Sequence, residues 1–371
     1  MLTPCHQPSI KELNTKVISQ IMHSNKQEVA SKAFAQFGTK RFEDLEDVSV
    51  DLQRLSEPGY WVVVASFENS FLLLKFKNLR ENHEPLQGVW AGVENSNWQS
   101  SMDKNQYVQA VQKLKDHIEL GDVYQTNICR VLKNNISRDE FDIEGLAVLL
   151  ERENPAPYSS VIKVGKEANF RLNKDVLIAS ASPELFLKIE NGFIYSAPIK
   201  GTGKTQEDLT EKDKAENIMI VDLVRNDLSI ICKTGSVEVP KLLEIQQHPG
   251  LVHLVSTVRG ELKENVSWAE IFAATFPPGS VSGAPKISAL KLINKLENSI
   301  RGPYCGAIGW IDSFKNQAQL SVGIRTFWID NDQLLFGTGA GITWGSDPEH
   351  EWKETELKCE RLFAIASKKN V

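Results

Sequence analysis

The chain has 371 residues, 24% charged and 41% hydrophobic, with a formal net charge of −6. That length can bury one large core or two modest ones, and the composition is ordinary for a globular protein. An acidic balance argues against sequence-independent nucleic-acid binding, which draws on a basic field. No run approaches the roughly 18 apolar residues of a membrane span, and Met1-Leu-Thr-Pro-Cys-His-Gln-Pro offers no hydrophobic signal region. Five cysteines, at 5, 129, 232, 305 and 359, are odd in number and show no CxxC spacing. They read as reduced thiols in a cytoplasmic protein, not as a disulfide frame or zinc site.

Residues 60–67 and 71–76 read as strands, and 94–105 is polar and turn-forming. That shift sets the expected division: a short N-terminal subdomain, 1–100, packed on a main domain, 101–371. Tyr107, Val111, Leu114 and Ile118 then mark one helix face, stopped at Gly121. Further on, long helices recur among strands joined locally, which predicts an antiparallel α+β architecture.

Apolar arms flank Asn191-Gly192, a strong hairpin signal. A hairpin closes its open ends together and so makes neighbours of Glu184 and Lys200. On spacing alone the two fit a surface ion pair, or an acid beside a lysine kept neutral by desolvation. A two-residue loop would pair Glu190 with Phe193 and send Glu184 and Lys200 to opposite faces. A three-residue loop with Gly192 left-handed, or another bulge near Pro198, would put both in one pocket, and that is the expectation.

Glu216 shares a helical stripe with Ile220 and Leu223, as an acid needing a partner or as a solvated residue near a helix start. The run from Gly279 through Gly283 to Pro285 enters an apolar-periodic helix, as an anion cradle or as a plain cap. Arg325 reads as part of a strand over 320–328, with small Ser321 and Gly323 beside it, an arrangement suited to a carboxylate. Glu351, Glu354 and Lys358 fall on one helix face, the usual pattern of a solvated surface. Gly203-Lys204-Thr205 is no phosphate loop, because the required earlier glycine is Pro198. Cys305 has no base beside it in sequence.

Many segments, in one uninterrupted order from about residue 104 to the end, resemble the chorismate-utilising enzymes. They are Gly121-Asp-Val-Tyr-Gln-Thr-Asn127, Ser182-Pro-Glu-Leu-Phe186, Pro198-Ile-Lys-Gly-Thr202, the helix through Glu216 and Asp222-Leu-Val-Arg-Asn-Asp227, and His253-Leu-Val-Ser256. They continue with Phe276-Pro-Pro-Gly-Ser-Val-Ser-Gly-Ala-Pro-Lys286, Arg301-Gly-Pro-Tyr304, Gly323-Ile-Arg325, Gly339-Ala-Gly-Ile342 and Asp347-Pro-Glu-His-Glu351. The resemblance implies two large, mainly antiparallel sheets packed as a sandwich, with helices outside and substrate between the sheets. It implies Mg²⁺ on Glu216 and Glu354 with Glu351 in support. Chorismate would be held by Tyr304, Arg325, Lys358, Gly283 and the backbone at Gly339 and Gly341, with His253 facing its ring.

Three activities share this scaffold: amination at C4, amination at C2 and hydration. Water-activating members carry a lysine where this chain has Gln125, which cannot act as a base. C2-aminating members carry alanine where Lys200 stands, so Lys200 points to the C4 branch, with Glu184 as its acid partner. C2 amination, or a degenerate non-catalytic partner subunit, are the alternatives. No glutamine amidotransferase machinery is seen, so ammonia is expected from a separate amidotransferase subunit. The N-terminal portion is shorter than usual in the family, and Gly203-Lys204-Thr205 replaces an arginine-bearing continuation.

Overall fold

A computed structural model describes residues 33–81, 85–137, 142–203, 205–248 and 251–369. Its strands are β1 (Phe34–Phe37), β2 (Lys40–Ser49), β3 (Tyr60–Ser66), β4 (Ser70–Glu81), β5 (Gln99–Ser100), β6 (Gln125–Asn135), β7 (Tyr158–Val164), β8 (Val176–Ser182) and β9 (Leu185–Glu190). They continue as β10 (Phe193–Ala197), β11 (Ile199–Gly203), β12 (Glu238–His248), β13 (Leu251–Glu261), β14 (Gly283–Ala284), β15 (Ala307–Asp312), β16 (Gln317–Val322), β17 (Thr326–Asp330) and β18 (Gln333–Ile342). The helices are α1 (Lys104–Glu119), α2 (Ile143–Glu153), α3 (Glu211–Ile231), α4 (Trp268–Thr275), α5 (Lys286–Leu296) and α6 (Pro348–Ala366).

The α+β architecture is as expected, and every pairing between these strands is antiparallel. One wall runs β6–β18–β17–β8–β7. The other runs β4–β3–β15–β16–β9–β10–β13–β12. The walls are not separate sheets, because β1 pairs with β7 of the first and with β2, which pairs with β4 of the second, joining both into one 18-stranded ribbon folded on itself.

Apolar side chains explain the layers. Phe42, Trp61, Leu73, Ile178 and Leu320 fill the main core with little or no exposure. α2 and α6 bury Leu146, Leu149, Leu362 and Ile365 against the outer side of the first wall. α1 begins at Asp103, whose carboxylate accepts from Gln106 N while the Gln106 side chain answers, a reciprocal cap worth about 1 kcal/mol. Of its predicted stripe, Tyr107, Val111 and Leu114 are fully covered and Ile118 is half-buried. Cys129, Cys232, Cys305 and Cys359 are buried free thiols, and Cys5 lies outside the described residues. No helix among the described residues is long and apolar enough to cross a membrane.

The hairpin differs from the predicted loop. Glu190 pairs with Phe193, so the connection is the two-residue Asn191-Gly192, with φ of 53° and 80°. Those left-handed values match the strand twist, so the shorter turn wins. The register is corrected by a bulge elsewhere: Lys188 faces Tyr195, yet Leu185 faces Ala197. The same step occurs against β16, where Leu187 faces Leu320 and Leu185 faces Ser321, so Phe186 is the inserted residue. A second irregularity lies between Ile199 and Thr202, just past Pro198. A Cβ on Gly192 would meet nothing within 4 Å, so its replacement is penalised through the backbone alone. Gly192→Ala should therefore lower stability by about 1 kcal/mol in thermal denaturation. Turnover should stay unchanged, and a loss of turnover would contradict a purely local role for the turn.

Candidate active site

Two chain segments cross between the walls side by side. The first, Pro183-Glu184, leaves β8 and enters β9; the second, Gly323-Ile324-Arg325, leaves β16 and enters β17. They are bonded to each other. Val322 N donates to Glu184 O at 3.0 Å, Ala181 N to Arg325 O at 3.0 Å, and Ser182 Oγ to Val322 O at 2.6 Å. The continuous strand expected over 320–328 is thus broken. Gly323 turns back to pair with Cys305 and Gly306, and Arg325 takes a left-handed φ of 51°. The change of wall needs the break, which places a mostly covered guanidinium at the seam. Among the described residues no carboxylate is in ion-pair contact with Arg325. Burial, and then Arg361, pull its pKa down, so the position favours an anionic ligand.

Glu184 is buried at the same seam, accepting hydrogen bonds from the Ser280 hydroxyl and the backbone at Ile199. Burial pushes its pKa up to about 7, against the pull of those bonds and of Lys200. Lys200 is displaced the other way. Burial, then the Lys358 ammonium, draws its pKa down against the carboxylates of Glu216, Glu184 and Glu354. An acid that keeps its proton near neutrality therefore faces an amine that gives its proton up more readily.

The carboxylates come from two helix starts. Lys212 Nζ on α3 lies 3.7 Å from Glu216 Oε1 and 3.8 Å from Glu351 Oε1 on α6. Glu354 pairs with Lys358 at 2.6 Å, both about half exposed, and Lys358 also donates to Gly339 O at 3.0 Å. Burial and the adjacent Glu354 raise the Glu351 pKa. Burial opposes ionisation of Glu354 as well, but Lys358 and Lys212 outweigh it and hold that carboxyl low. The predicted acids thus share one mouth. Among the described residues no three His, Cys, Asp or Glu side chains are grouped to hold a metal unaided. The pair gathered about Lys212 is Glu216 and Glu351, while Glu354, the expected second ligand, engages Lys358 beside them. Carboxylates so close suit Mg²⁺, which takes one or two and completes its shell with water and substrate oxygens.

The floor is bare backbone. Gly337, Gly339 and Gly341 follow one another on one face of β18. The ring of Tyr304, buried, covers Gly337, where a Cβ would lie 2.0 Å from Cγ. At Gly341 a Cβ would lie 2.5 Å from Gln125 Nε2, 3.2 Å from Lys200 Nζ and 3.3 Å from Asn127 Oδ1. His253 is buried on β13, opposite Thr202 on one side and Gln246 on the other. Gly283 pairs with Thr126, and a Cβ on it would lie 2.3 Å from Gln125 O, so its neighbourhood is filled by β6. Pro285 is the N-cap of α5, one residue before the predicted first turn.

A family profile described as chorismate binding enzyme matches residues 61–364, well over half of the sequence. The chain belongs to that family. It is 36% identical over 280 residues to aminodeoxychorismate synthase component 1 of Escherichia coli, covering 72% of this chain and 59% of the relative. It is also 36% identical over 280 residues to anthranilate synthase component 1 of Aquifex aeolicus, covering 72% and 54%. The chain thus spans little more than half the length of these relatives. Anthranilate synthase component I from Streptococcus pneumoniae superposes with a TM-score of 0.72 at 21% identity, covering 90% of this chain and 91% of that one. The menaquinone-specific isochorismate synthase of Escherichia coli gives 0.72 at 16%, covering 92% and 90%. These two show the fold, including the walls and outer helices expected from sequence.

Several residues at the site were not singled out by sequence. Ser280 lay inside a quoted motif with no role. Lys212 stands four residues before Glu216, a spacing that could have flagged it. Asn127 ended the Gly121–Asn127 segment, and no role attached to it until its strand neighbours were known.

The Glu184 carboxyl makes stability depend on pH. Its folded pKa is raised, so its contribution is full below the unfolded value of 4.5 and is lost as pH rises through about 7. The displacement corresponds to roughly 3 kcal/mol. Glu184→Gln, which mimics the protonated form, should gain thermal stability over wild type at pH 8 and little at pH 4.5. A gain equal at both pH values would show that Glu184 is not titrating there. Gly341→Ala should leave melting nearly unchanged, since the nearest atom ends a flexible side chain, while turnover falls about 100-fold. Retained turnover would mean that the Gly341 floor is not where the substrate sits.

Proposed function

We propose that this chain aminates chorismate at C4 to give 4-amino-4-deoxychorismate, the first step toward 4-aminobenzoate and folate. The observation that carries the reading is Lys200 Nζ at the bare backbone of Gly341, its proton affinity drawn down by burial, with the buried Glu184 carboxyl, pushed up to about 7, among the charged groups around it. The named relatives include enzymes of this activity and of C2 amination, so the relatives do not choose between them. Lys200 favours the C4 outcome, because a nucleophilic lysine moves the entry point of nitrogen from C2 to C4.

In the proposed course the neutral Lys200 amine attacks C2 of the ring. The double bonds shift, the C4–O bond breaks, Glu184 protonates the departing hydroxyl to water, and the resulting Glu184 carboxylate takes up the proton shed by the new C2–N ammonium. Ammonia then attacks C4, the double bonds shift back, and the C2–N bond to Lys200 breaks with return of a proton to the amine. Arg325 and Tyr304 would hold one carboxylate of the substrate. Glu216 and Glu354, supported by Glu351, would hold Mg²⁺, which supplies charge neutralisation for the other carboxylate. Ammonia would come from a glutamine amidotransferase subunit, so the chain alone should use ammonium and not glutamine.

Product analysis with chorismate, ammonium and Mg²⁺ tests the reading. Wild type should give 4-amino-4-deoxychorismate, and Lys200→Ala should lose it, with residual C2 amination as its only product. Intact mass spectrometry of wild type with chorismate and no ammonia should show an adduct on Lys200. Formation of the C4 product by Lys200→Ala at the wild-type rate would end the covalent reading.

A further inference from the structure

Asn127 has an unexplained acceptor. It sits on β6 directly opposite Gly341 of β18, with Gln125 two residues away on the same face. Its Oδ1 and both amide atoms of Gln125 are buried with no hydrogen-bond partner. Buried polar groups are almost always satisfied, so three orphans around one niche call for a ligand or a moving partner. Asn127 Oδ1 and Gln125 Nε2 converge on the bare backbone of Gly341, as does Lys200 Nζ, which would lie 3.2 Å from a Cβ there. Asn127 is not free to retreat from it. Its N–H donates to Ser282 O at 2.9 Å, and its carbonyl accepts from Arg301 Nη2 at 3.0 Å. Arg301 is in turn fully buried and paired with Glu297 at 2.5 Å.

We propose that Asn127 is a positioning residue for Lys200: its amide oxygen accepts an N–H of the amine and aims the nitrogen lone pair at the substrate. The inference rests on Lys200 being the nucleophile. Three directions around the amine are already charged: Glu216 on α3, Glu184 at the β8–β9 crossing, and Glu354 and Lys358 on α6. A fourth group that was a carboxylate would favour the ammonium, which cannot attack. An amide oxygen accepts from the neutral amine without adding a negative charge. Asn127 is therefore suited to the task in a way that aspartate of the same shape is not.

The experiment compares Asn127→Asp and Asn127→Ala with wild type in two readouts. The first is independent of turnover: labelling of Lys200 by trinitrobenzenesulfonate across pH, followed by peptide mass spectrometry. The nearly isosteric Asn127→Asp should displace the labelling curve to the alkaline side by about one pH unit. The second is steady-state kinetics with ammonium, in which Asn127→Ala should lower kcat about tenfold or more while KM for chorismate changes little. Both results together support the proposal. An unmoved labelling curve in Asn127→Asp, or an unchanged kcat in Asn127→Ala, overturns it. Failure of the covalent reading is distinguishable, since it would appear as C4 product from Lys200→Ala, whatever the Asn127 variants do to labelling.

Discussion

Two adjacent crossings of the chain, through Pro183-Glu184 and through Gly323-Ile324-Arg325, hold the site together. Each carries a strand from one wall to the other, and each bonds its neighbour through backbone groups and the Ser182 hydroxyl. A chain leaving a sheet exposes backbone donors and acceptors that must be satisfied if buried. Here each crossing satisfies the other, so neither can relax alone. That mutual closure lets Glu184 be buried next to an arginine in a left-handed conformation, two local penalties the surrounding ladders hold in place. The inserted Phe186 belongs to the same device, since it shifts register against both flanking strands at once.

The electrostatics follow from this closure. A carboxyl and an amine at 4 Å in water would both stay ionised as a weak pair. Removing water penalises both charges, and the two pKa values move toward one another. The remaining charges set the balance. Lys358 opposes protonation of Lys200 while Glu216 and Glu354 favour it, so the amine's proton affinity depends on what else is held at the mouth. A substrate carboxylate or a cation entering there necessarily changes that balance.

Sequence disclosed the parts better than their joints. The α1 stripe, the Asn191-Gly192 turn and the fold class were legible, because each follows from local periodicity, turn chemistry or motif order. The loop length was misjudged because the need for Glu184 and Lys200 to meet was assigned to the turn, where sequence offers a choice of geometries. The shift came from Phe186, and nothing in an apolar strand announces a bulge. The same limit explains Arg325, whose strand reads as continuous from Leu320 to Trp328 until each half is seen to belong to a different wall. The orphan acceptor of Asn127 was invisible for a third reason: it exists only because Gly341, more than 200 residues away in sequence, leaves a space opposite.

Ammonium groups are interleaved with the carboxylates of the acidic mouth. Glu351 lies in the first turn of α6, where the helix's unpaired N–H groups favour negative charge. Lys212 reaches across from α3 toward both Glu216 and Glu351, and Lys358 engages Glu354 while bonding the β18 backbone. Two ammonium groups therefore stand among three carboxylates and offset their mutual repulsion. Lys212 is half exposed, and its separations from Glu216 and Glu351 exceed hydrogen-bonding distance. Such contacts are weak and exchangeable. The two ammonium groups thus hold carboxylates from two helices near one another, so part of the cost of gathering charged groups at this mouth is already met by the fold.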